Sequence, residues 1–492
     1  MSIARAFVLG AGTLMVRSVL LLGATAILLS ACVSMREAQL DILYNAAASH
    51  HAPDRNPIVV IPGVLGSSLR DRMSGTVVWG AFDAHFVDPK DPGGARLLAL
   101  PLEQGEGDSV EPVGVVERIR IRVAGLPIQL EVYARILATL GAAGYRDEAL
   151  GTAGEVDYGR DHFTCFQFAY DWRRDNVENA ARLKAFLEEK RDYVRKEYRT
   201  RFGIDNPDVR FDIVAHSMGG LLTRYFLRYG AQDLPDDGSL PELSWAGANL
   251  VERVILVAPP NGGSLNALHA LVEGRKLGPV FPYYPPAIVG TFPSSYQLLP
   301  RARYGAVVWD DDTGEPVKDF LDPDLWERMG WGLARPDQDR VLRMLMPNTR
   351  DAAKRRERAL ARQRDSLLRA RAFMAALDAP ATAPANIEIY LVAGDAMDTP
   401  YRTAVDPNDG SLRVVEWAPG DGTVLRSSVL LDEREAGAWR PTLATPIPYH
   451  NVMLLPESHL GITKNAAFRD NMLFWLLEEE RKRRADLPPV RG

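Results

Sequence analysis

Cysteine is nearly missing from this chain: there are two in 492 residues. Cys165 lies in the apolar stretch Phe163-Thr164-Cys165-Phe166 and reads as a small buried hydrophobe. The other, Cys32, stands near the N-terminus, and once it is modified no intrachain disulfide is open to the chain. An excess of positive charge is missing too. Against 58 Lys and Arg stand 64 Asp and Glu, a formal net charge of −6, which argues against a nucleic-acid partner. The 8 histidines and two cysteines form no cluster with metal-ligand spacing, so neither a metal nor a cofactor is expected. The apolar run at 19–29 is too short for a comfortable membrane span. What remains is a chain of ordinary apolar content, long enough for one large domain with an insertion or for two domains.

The first residues follow a signal peptide's order: Arg5 and Arg17, the apolar run 19–29, then Ser30-Ala31-Cys32. Leu29-Ser30-Ala31-Cys32 resembles a bacterial lipobox, whose cysteine becomes the acylated first residue of the mature protein. On this reading residues 1–31 are a signal peptide, Cys32 is the lipidation site and residues 32–56 are a linker. A plain cleaved signal and an uncleaved anchor are the alternatives, and Met15-Val16-Arg17 would make a more compact start. Several acyl chains hold a protein to a membrane firmly where one binds only marginally. Val33 stands where an aspartate would signal inner-membrane retention, so the expected address is the outer membrane, facing the periplasm.

Short apolar, strand-like segments recur at 57–61, 163–170, 209–214, 254–258 and 387–393. Their alternation with helical segments such as 176–198 predicts an α/β fold, a mostly parallel sheet with helices on both faces. A last helix is expected over 464–484 and a loose tail over 485–492. Two stretches break the alternation. Residues 70–118 are rich in Gly and Pro and read as a lid excursion within a first core segment, 57–263. Residues 264–384 hold no clear buried strand and read as a cap insertion before a second core segment, 385–484. The cap includes a charged helix over 349–378, on which Ala353, Leu360, Leu367 and Met374, beside Ala370 and Leu377, make one apolar stripe. Arg355, Arg356, Arg358, Arg362, Arg364 and Arg369 occupy its other face. That face reads either as solvated or as a basic surface for anionic lipid headgroups.

The chemistry is sharpest at Ala215-His216-Ser217-Met218-Gly219-Gly220, between an apolar run and an amphipathic segment. Strand, sharp turn and helix are the setting of a nucleophile elbow, with Ser217 at its tip and small residues two places before and after. A serine nucleophile needs a base and a carboxylate to orient it, in the chain order Ser, Asp or Glu, His of an α/β-hydrolase. Asp421, framed by Gly420 and Gly422, is the first choice of carboxylate, with Asp395 and Asp398 as competitors. His459, after a short apolar strand and before the last helix, is the first choice of base; His450, before that strand, competes. His216 is read as packing. The backbone amides of Met218 and Val64, the latter in Pro62-Gly63-Val64-Leu65-Gly66, are the expected oxyanion donors.

Ile61-Pro62-Gly63-Val64-Leu65-Gly66-Ser67-Ser68-Leu69, Tyr170-Asp171-Trp172-Arg173, the elbow, Ala258-Pro259-Pro260-Asn261-Gly262-Gly263-Ser264 and Gly420-Asp421-Gly422-Thr423-Val424 occur in a telling order. In that order the chain, from residue 57 to 477, resembles the lecithin:cholesterol acyltransferases, a family that also includes lysosomal phospholipase and phospholipid:diacylglycerol acyltransferases. The resemblance implies an α/β-hydrolase core with an inserted cap and lid. It implies Ser217, Asp421 and His459 as the triad, Val64 and Met218 at the oxyanion hole, and Trp79 on a mobile lid loop that meets substrate. The mammalian members brace the lid with a disulfide; this chain has no cysteines there. The expected function is serine-dependent hydrolysis or O-acyl transfer on a phospholipid or related acyl lipid, by a monomer at a membrane surface. A hydrolase of non-lipid esters or amides, or a non-catalytic lipid-binding lipoprotein, are the alternatives.

Overall fold

The computed structural model describes residues 38–50, 52–80, 87–103, 105–123, 126–150, 162–205, 207–278, 281–434 and 441–481. The expected signal peptide and Cys32 lie outside them. At the centre is an all-parallel sheet of β1 (Ile58–Ile61), β2 (Cys165–Gln167), β3 (Phe211–His216), β4 (Val251–Val257), β5 (Glu388–Gly394) and β6 (Asn451–Leu455). Its spatial order is β6-β5-β4-β3-β1-β2. Every residue of β1, β3, β4 and β5 is buried. A strand covered on both faces must be largely apolar on both, which is why these segments are rich in Val, Ile and Leu.

Successive side chains of a strand point to opposite faces, and two cores result. Val59, Ile61, Ile213 and Ala215 pack with the helices that follow β2 and β3. Ile58, Val60 and Val214 pack on the other face with helices α1 (Ala134–Ala142) and α5 (Ala466–Leu477). The helices of the first face are α2 (Asn176–Phe202), capped by the Asp175 carboxylate on the Val177 amide, and α3 (Met218–Tyr229). The chain runs from β1 outward to β2, then returns to the opposite side of β1 at β3. The connections from β1 and β3 thus lead to opposite sides of the sheet, and ligand sites of such sheets lie at the carboxyl ends of the strands there.

The amino ends of the strands are closed by buried ion pairs. Arg253 Nε donates to Glu388 Oε2 over 2.5 Å, and its other nitrogens reach the Trp475 and Glu480 carbonyls. Arg481 grips both oxygens of Asp212 at 3.0 and 2.6 Å. Helix α5 spans Ala466–Leu477, shorter than the 464–484 expected.

The segment after β1 folds as a three-stranded antiparallel sheet of Ser67–Asp71, Val77–Trp79 and Val110–Val115, followed by the hairpin Arg118–Val123 and Leu126–Glu131. The stretch 264–384 does contain a buried strand, Val307–Trp309, against expectation. It pairs in parallel with Thr403–Val405 and so stitches this stretch to the chain beyond β5. Three residues are too few to carry a periodicity.

Helix α4 (Ala352–Asp378) also departs from its sequence reading. Leu367, Ala370, Met374 and Leu377 of the expected stripe are buried, but Ala353 is exposed and Leu360 only half-buried; Ala359, Gln363, Ser366 and Phe373 complete the buried side. The arginine face is partly solvated, with Arg364 exposed and Arg356, Arg358, Arg362 and Arg369 half-buried, but its guanidinium groups are engaged by partners on the protein. Arg355 is buried and donates to Asp339 at 3.1 and 2.7 Å; Arg369 binds Asp175 and Asp233; Arg364 binds Asp324. Arg356, Arg358 and Arg362 reach the Ala334 carbonyl, Thr349 Oγ1 and the Pro101 carbonyl at 2.9, 2.7 and 3.1 Å. Their partners lie far away in sequence, which no charge pattern reveals. No helix among the described residues is long and apolar enough to cross a membrane.

Candidate active site

Ser217 terminates β3 with φ 55° and ψ −126°, a conformation that costs free energy in any residue with a Cβ. Crowding explains the small neighbours. A Cβ on Gly219 would stand 2.5 Å from the Pro62 carbonyl oxygen, and one on Gly63 would stand 2.7 Å from Ser217 Cβ. The elbow and the loop after β1 thus touch backbone to backbone, and glycine at both places permits it.

His459 Nε2 lies 2.9 Å from Ser217 Oγ, and His459 Nδ1 lies 2.7 Å from Asp421 Oδ2. A carboxylate only accepts, so Nδ1 carries the proton and Nε2 is free to accept from the serine. Asp421 is held in turn: its Oδ1 accepts from the Thr423 and Val424 amides at 2.9 and 2.7 Å, and its carbonyl accepts from the His459 amide at 3.0 Å. The competitors stand elsewhere. Asp395 faces Arg426 across 3.7 Å, Asp398 is exposed, and His450 lies at the start of β6 against Glu479.

The loop after β1 is fixed by two tyrosines. Gly63 N donates to Tyr133 Oη at 2.8 Å, and Tyr170 Oη donates to the Pro62 carbonyl at 3.0 Å. Among the described residues, neither the Val64 nor the Met218 amide donates a hydrogen bond. Trp79, which the resemblance places on a lid loop that meets substrate, is buried here and lines the cavity of Ser217. Its Nε1 donates to the Leu65 carbonyl at 2.8 Å, and it meets Trp172 edge-on with ring centres 5.3 Å apart.

His216 does more than pack. Its Nε2 lies 3.1 Å from the His459 carbonyl and its Nδ1 lies 2.8 Å from Tyr133 Oη. Burial, and then the neighbouring His459, push its pKa down to about 3, so the ring is neutral. The carbonyl can only accept, which puts the His216 proton on Nε2 and leaves Nδ1 to accept from the Tyr133 hydroxyl. Burial pushes the Tyr133 phenol up, so that proton is always present. One neutral ring therefore ties the β1 loop to the backbone of His459. The one signal in the sequence was an ionisable residue ending an apolar strand; Tyr133 gave none.

A cavity of about 340 Å³ opens on Ser217 and His459, walled by Leu65, Trp79, Leu277, Phe281, Leu298 and Leu460 among others. A smaller apolar pocket shares Val64, Leu65 and Trp79 with it and runs on to Trp172 and Phe292.

Strand order, elbow and crevice define an α/β-hydrolase fold. The sequence model of the family described as "Lecithin:cholesterol acyltransferase" matches residues 119–417, more than half of the chain, and the chain belongs to that family. This places it among lipid acyl-ester hydrolases and acyltransferases. The match includes Ser217 and ends short of Asp421 and His459, which geometry alone brings to the serine. No curated protein matches the chain. Among solved structures, the Tle4–Tli4 complex is similar, with 16% identity over 86% of this chain and 99% of that one, at a TM-score of 0.50. The mature Bacillus licheniformis lipase BlEst2 (13% identity, 87% and 94% covered, TM-score 0.30) also matches. So does phospholipase PlaB from Legionella pneumophila, with 14% identity, 66% and 54% covered, and a TM-score of 0.29.

Proposed function

We propose that this protein is a serine-dependent acyl-lipid hydrolase or O-acyltransferase that works through an acyl-serine. The carrying observation is the unbroken line Ser217 Oγ, His459, Asp421, with Ser217 and His459 facing a cavity of largely apolar wall. His459 Nε2 takes the Ser217 proton as Oγ attacks the ester carbonyl, and Asp421 stabilises the imidazolium that forms. The Val64 and Met218 amides hold the oxyanion. On collapse, His459 gives its proton to the departing alcohol, perfecting the leaving group. Water or a second alcohol, deprotonated by the same ring, then releases the acyl group from Ser217. Whether hydrolysis or transfer results depends on which of these two reaches the acyl-enzyme.

The lipobox reading goes with this chemistry. A lipid anchor on Cys32 would hold a monomeric enzyme at the outer membrane, where its substrate lies. Labelling with a fluorophosphonate probe, followed by turnover of radiolabelled phospholipid with and without a sterol or diacylglycerol, tests the assignment. Wild type should label at Ser217, and Ser217→Ala should lose labelling and about 10⁶-fold in turnover. Turnover that survives Ser217→Ala would sink the proposal. Free fatty acid as the sole product under all conditions would remove the transferase half. A preference for short acyl chains would move the substrate away from lipids.

A further inference from the structure

Val64, the expected oxyanion donor, follows the most pliable kind of residue. Position 63 must be glycine, because a Cβ there would stand 2.7 Å from Ser217 Cβ. Glycine turns readily about φ and ψ, so the close approach leaves the Val64 N–H without a fixed direction unless the chain is held from outside. Three hydrogen bonds hold it. Tyr170 Oη donates to the Pro62 carbonyl at 3.0 Å, the Gly63 amide donates to Tyr133 Oη at 2.8 Å, and the Gly66 amide donates to the Gly63 carbonyl at 3.0 Å. A trans peptide points its C=O and its N–H in opposite directions. With the Gly63 carbonyl turned to Gly66, the Val64 N–H points the other way, and it donates to no described residue. Val64, Tyr133 and Ser217 line one cavity.

We infer that Tyr133 is a positioning residue of the oxyanion hole: through the Gly63 amide, its hydroxyl fixes the direction in which the Val64 N–H meets the developing oxyanion. This rests on the reading of Ser217 as nucleophile and Val64 as donor. Tyr133 is itself a fixed point. It is buried at the start of α1, the Val132 amide donates to the Glu117 carbonyl at 2.8 Å, and the Val132 carbonyl accepts from Thr463 Oγ1 at 3.0 Å. Thr463 lies in the turn that follows His459, so the base and the oxyanion loop share one frame. The Tyr133 proton goes to His216 Nδ1 at 2.8 Å, which leaves the oxygen to accept from Gly63. The ester carbonyl of a bound substrate carries little charge and the tetrahedral oxyanion a full one. A misdirected donor therefore lowers kcat and leaves KM alone.

The test is Tyr133→Phe in the full chain, which deletes one oxygen and keeps the ring. With a soluble chromogenic ester, kcat per site titrated to completion by a fluorophosphonate should fall about ten- to hundredfold, while KM stays within about twofold. Titration takes any loss of folded protein out of the number, so a purely structural tyrosine would leave kcat per site unchanged. An alkyl trifluoromethyl ketone places an oxyanion in the hole when it adds to Ser217. Its inhibition constant should rise by the factor by which kcat/KM falls. The pH profile of kcat/KM should keep its shape, since the change lies at the oxyanion and not at the base. A kcat per site within about twofold of wild type overturns the inference, as does a loss confined to KM. A profile displaced along the pH axis also overturns it, by assigning Tyr133 to His459 through the His216 ring. If Tyr133→Phe does not fold, a ring-fluorinated tyrosine in place of Tyr133 keeps the shape and weakens the oxygen as an acceptor. Its kcat should fall about threefold or more, and an unchanged kcat overturns the inference. Ester turnover that persists in Ser217→Ala would instead refute the site reading, whatever the Tyr133 variants do.

Discussion

His216 makes the acid stability of this protein calculable. An unfolded histidine titrates near 6.5, whereas the folded environment holds His216 at about 3. The folded state therefore binds fewer protons than the unfolded chain between these two values. Stability is unaffected well above pH 6.5, falls as the pH drops below it, and stops falling near pH 3. The slope in between approaches about 1.4 kcal/mol per pH unit, and the loss at pH 5 comes to about 2 kcal/mol. That is a sizeable part of an ordinary domain's stability of about 5–15 kcal/mol. Other groups titrate in the same range, so the contribution must be isolated by difference. His216→Gln removes the titrating group and retains one donor and one acceptor for the His459 carbonyl and the Tyr133 hydroxyl. Urea unfolding of both proteins at pH 7.5, 6.0 and 5.0 should show wild type losing about 2 kcal/mol more than the variant between the extremes. Parallel pH profiles would refute the reasoning, because they would mean that His216 is solvated or carries its charge in the fold.

Asp421→Asn should keep the amide contacts from Thr423 and Val424 but offer His459 Nδ1 a donor instead of an acceptor. The wrong tautomer then faces Ser217, and kcat on a chromogenic ester should fall about 10⁴-fold; a loss under about tenfold would refute the orienting role. At the opposite end of the sheet, Glu388→Gln leaves the fully buried Arg253 without its acid. Stability measured by urea unfolding should drop about 3–5 kcal/mol, while activity per folded molecule is retained. An unchanged midpoint would show that the pair contributes nothing.

How much of this was legible in the chain depends on how local each requirement is. The central strands are covered on both faces, so 209–214 and 387–393 stand out as mostly apolar runs, interrupted by charges such as Asp212 and Glu388 that pair with arginines. The elbow at Ser217 is a requirement on consecutive residues, and Gly219 and Gly63 are there because the backbones touch. The edge strand β2 pairs over only Cys165–Gln167, shorter than the apolar stretch around it, because pairing and not hydropathy sets its ends. Trp79 could be located near the crevice but not recognised as a wall, since its partners Leu65 and Trp172 come from different segments.

By itself, then, the sequence determined the α/β order, the nucleophile elbow and the rank of Asp421 and His459 over their rivals. Each of these is written in neighbouring residues or in the order along the chain. Tertiary structure alone decided that the arginines of α4 find acids, carbonyls and a hydroxyl on other segments, and that His216 joins two loops. The reason is separation. Tyr133 lies 83 positions from His216, and His216 lies 243 from His459. Only the folded chain brings such residues to hydrogen-bond distance, and a side chain's partner, more than its type, sets whether it packs or pairs.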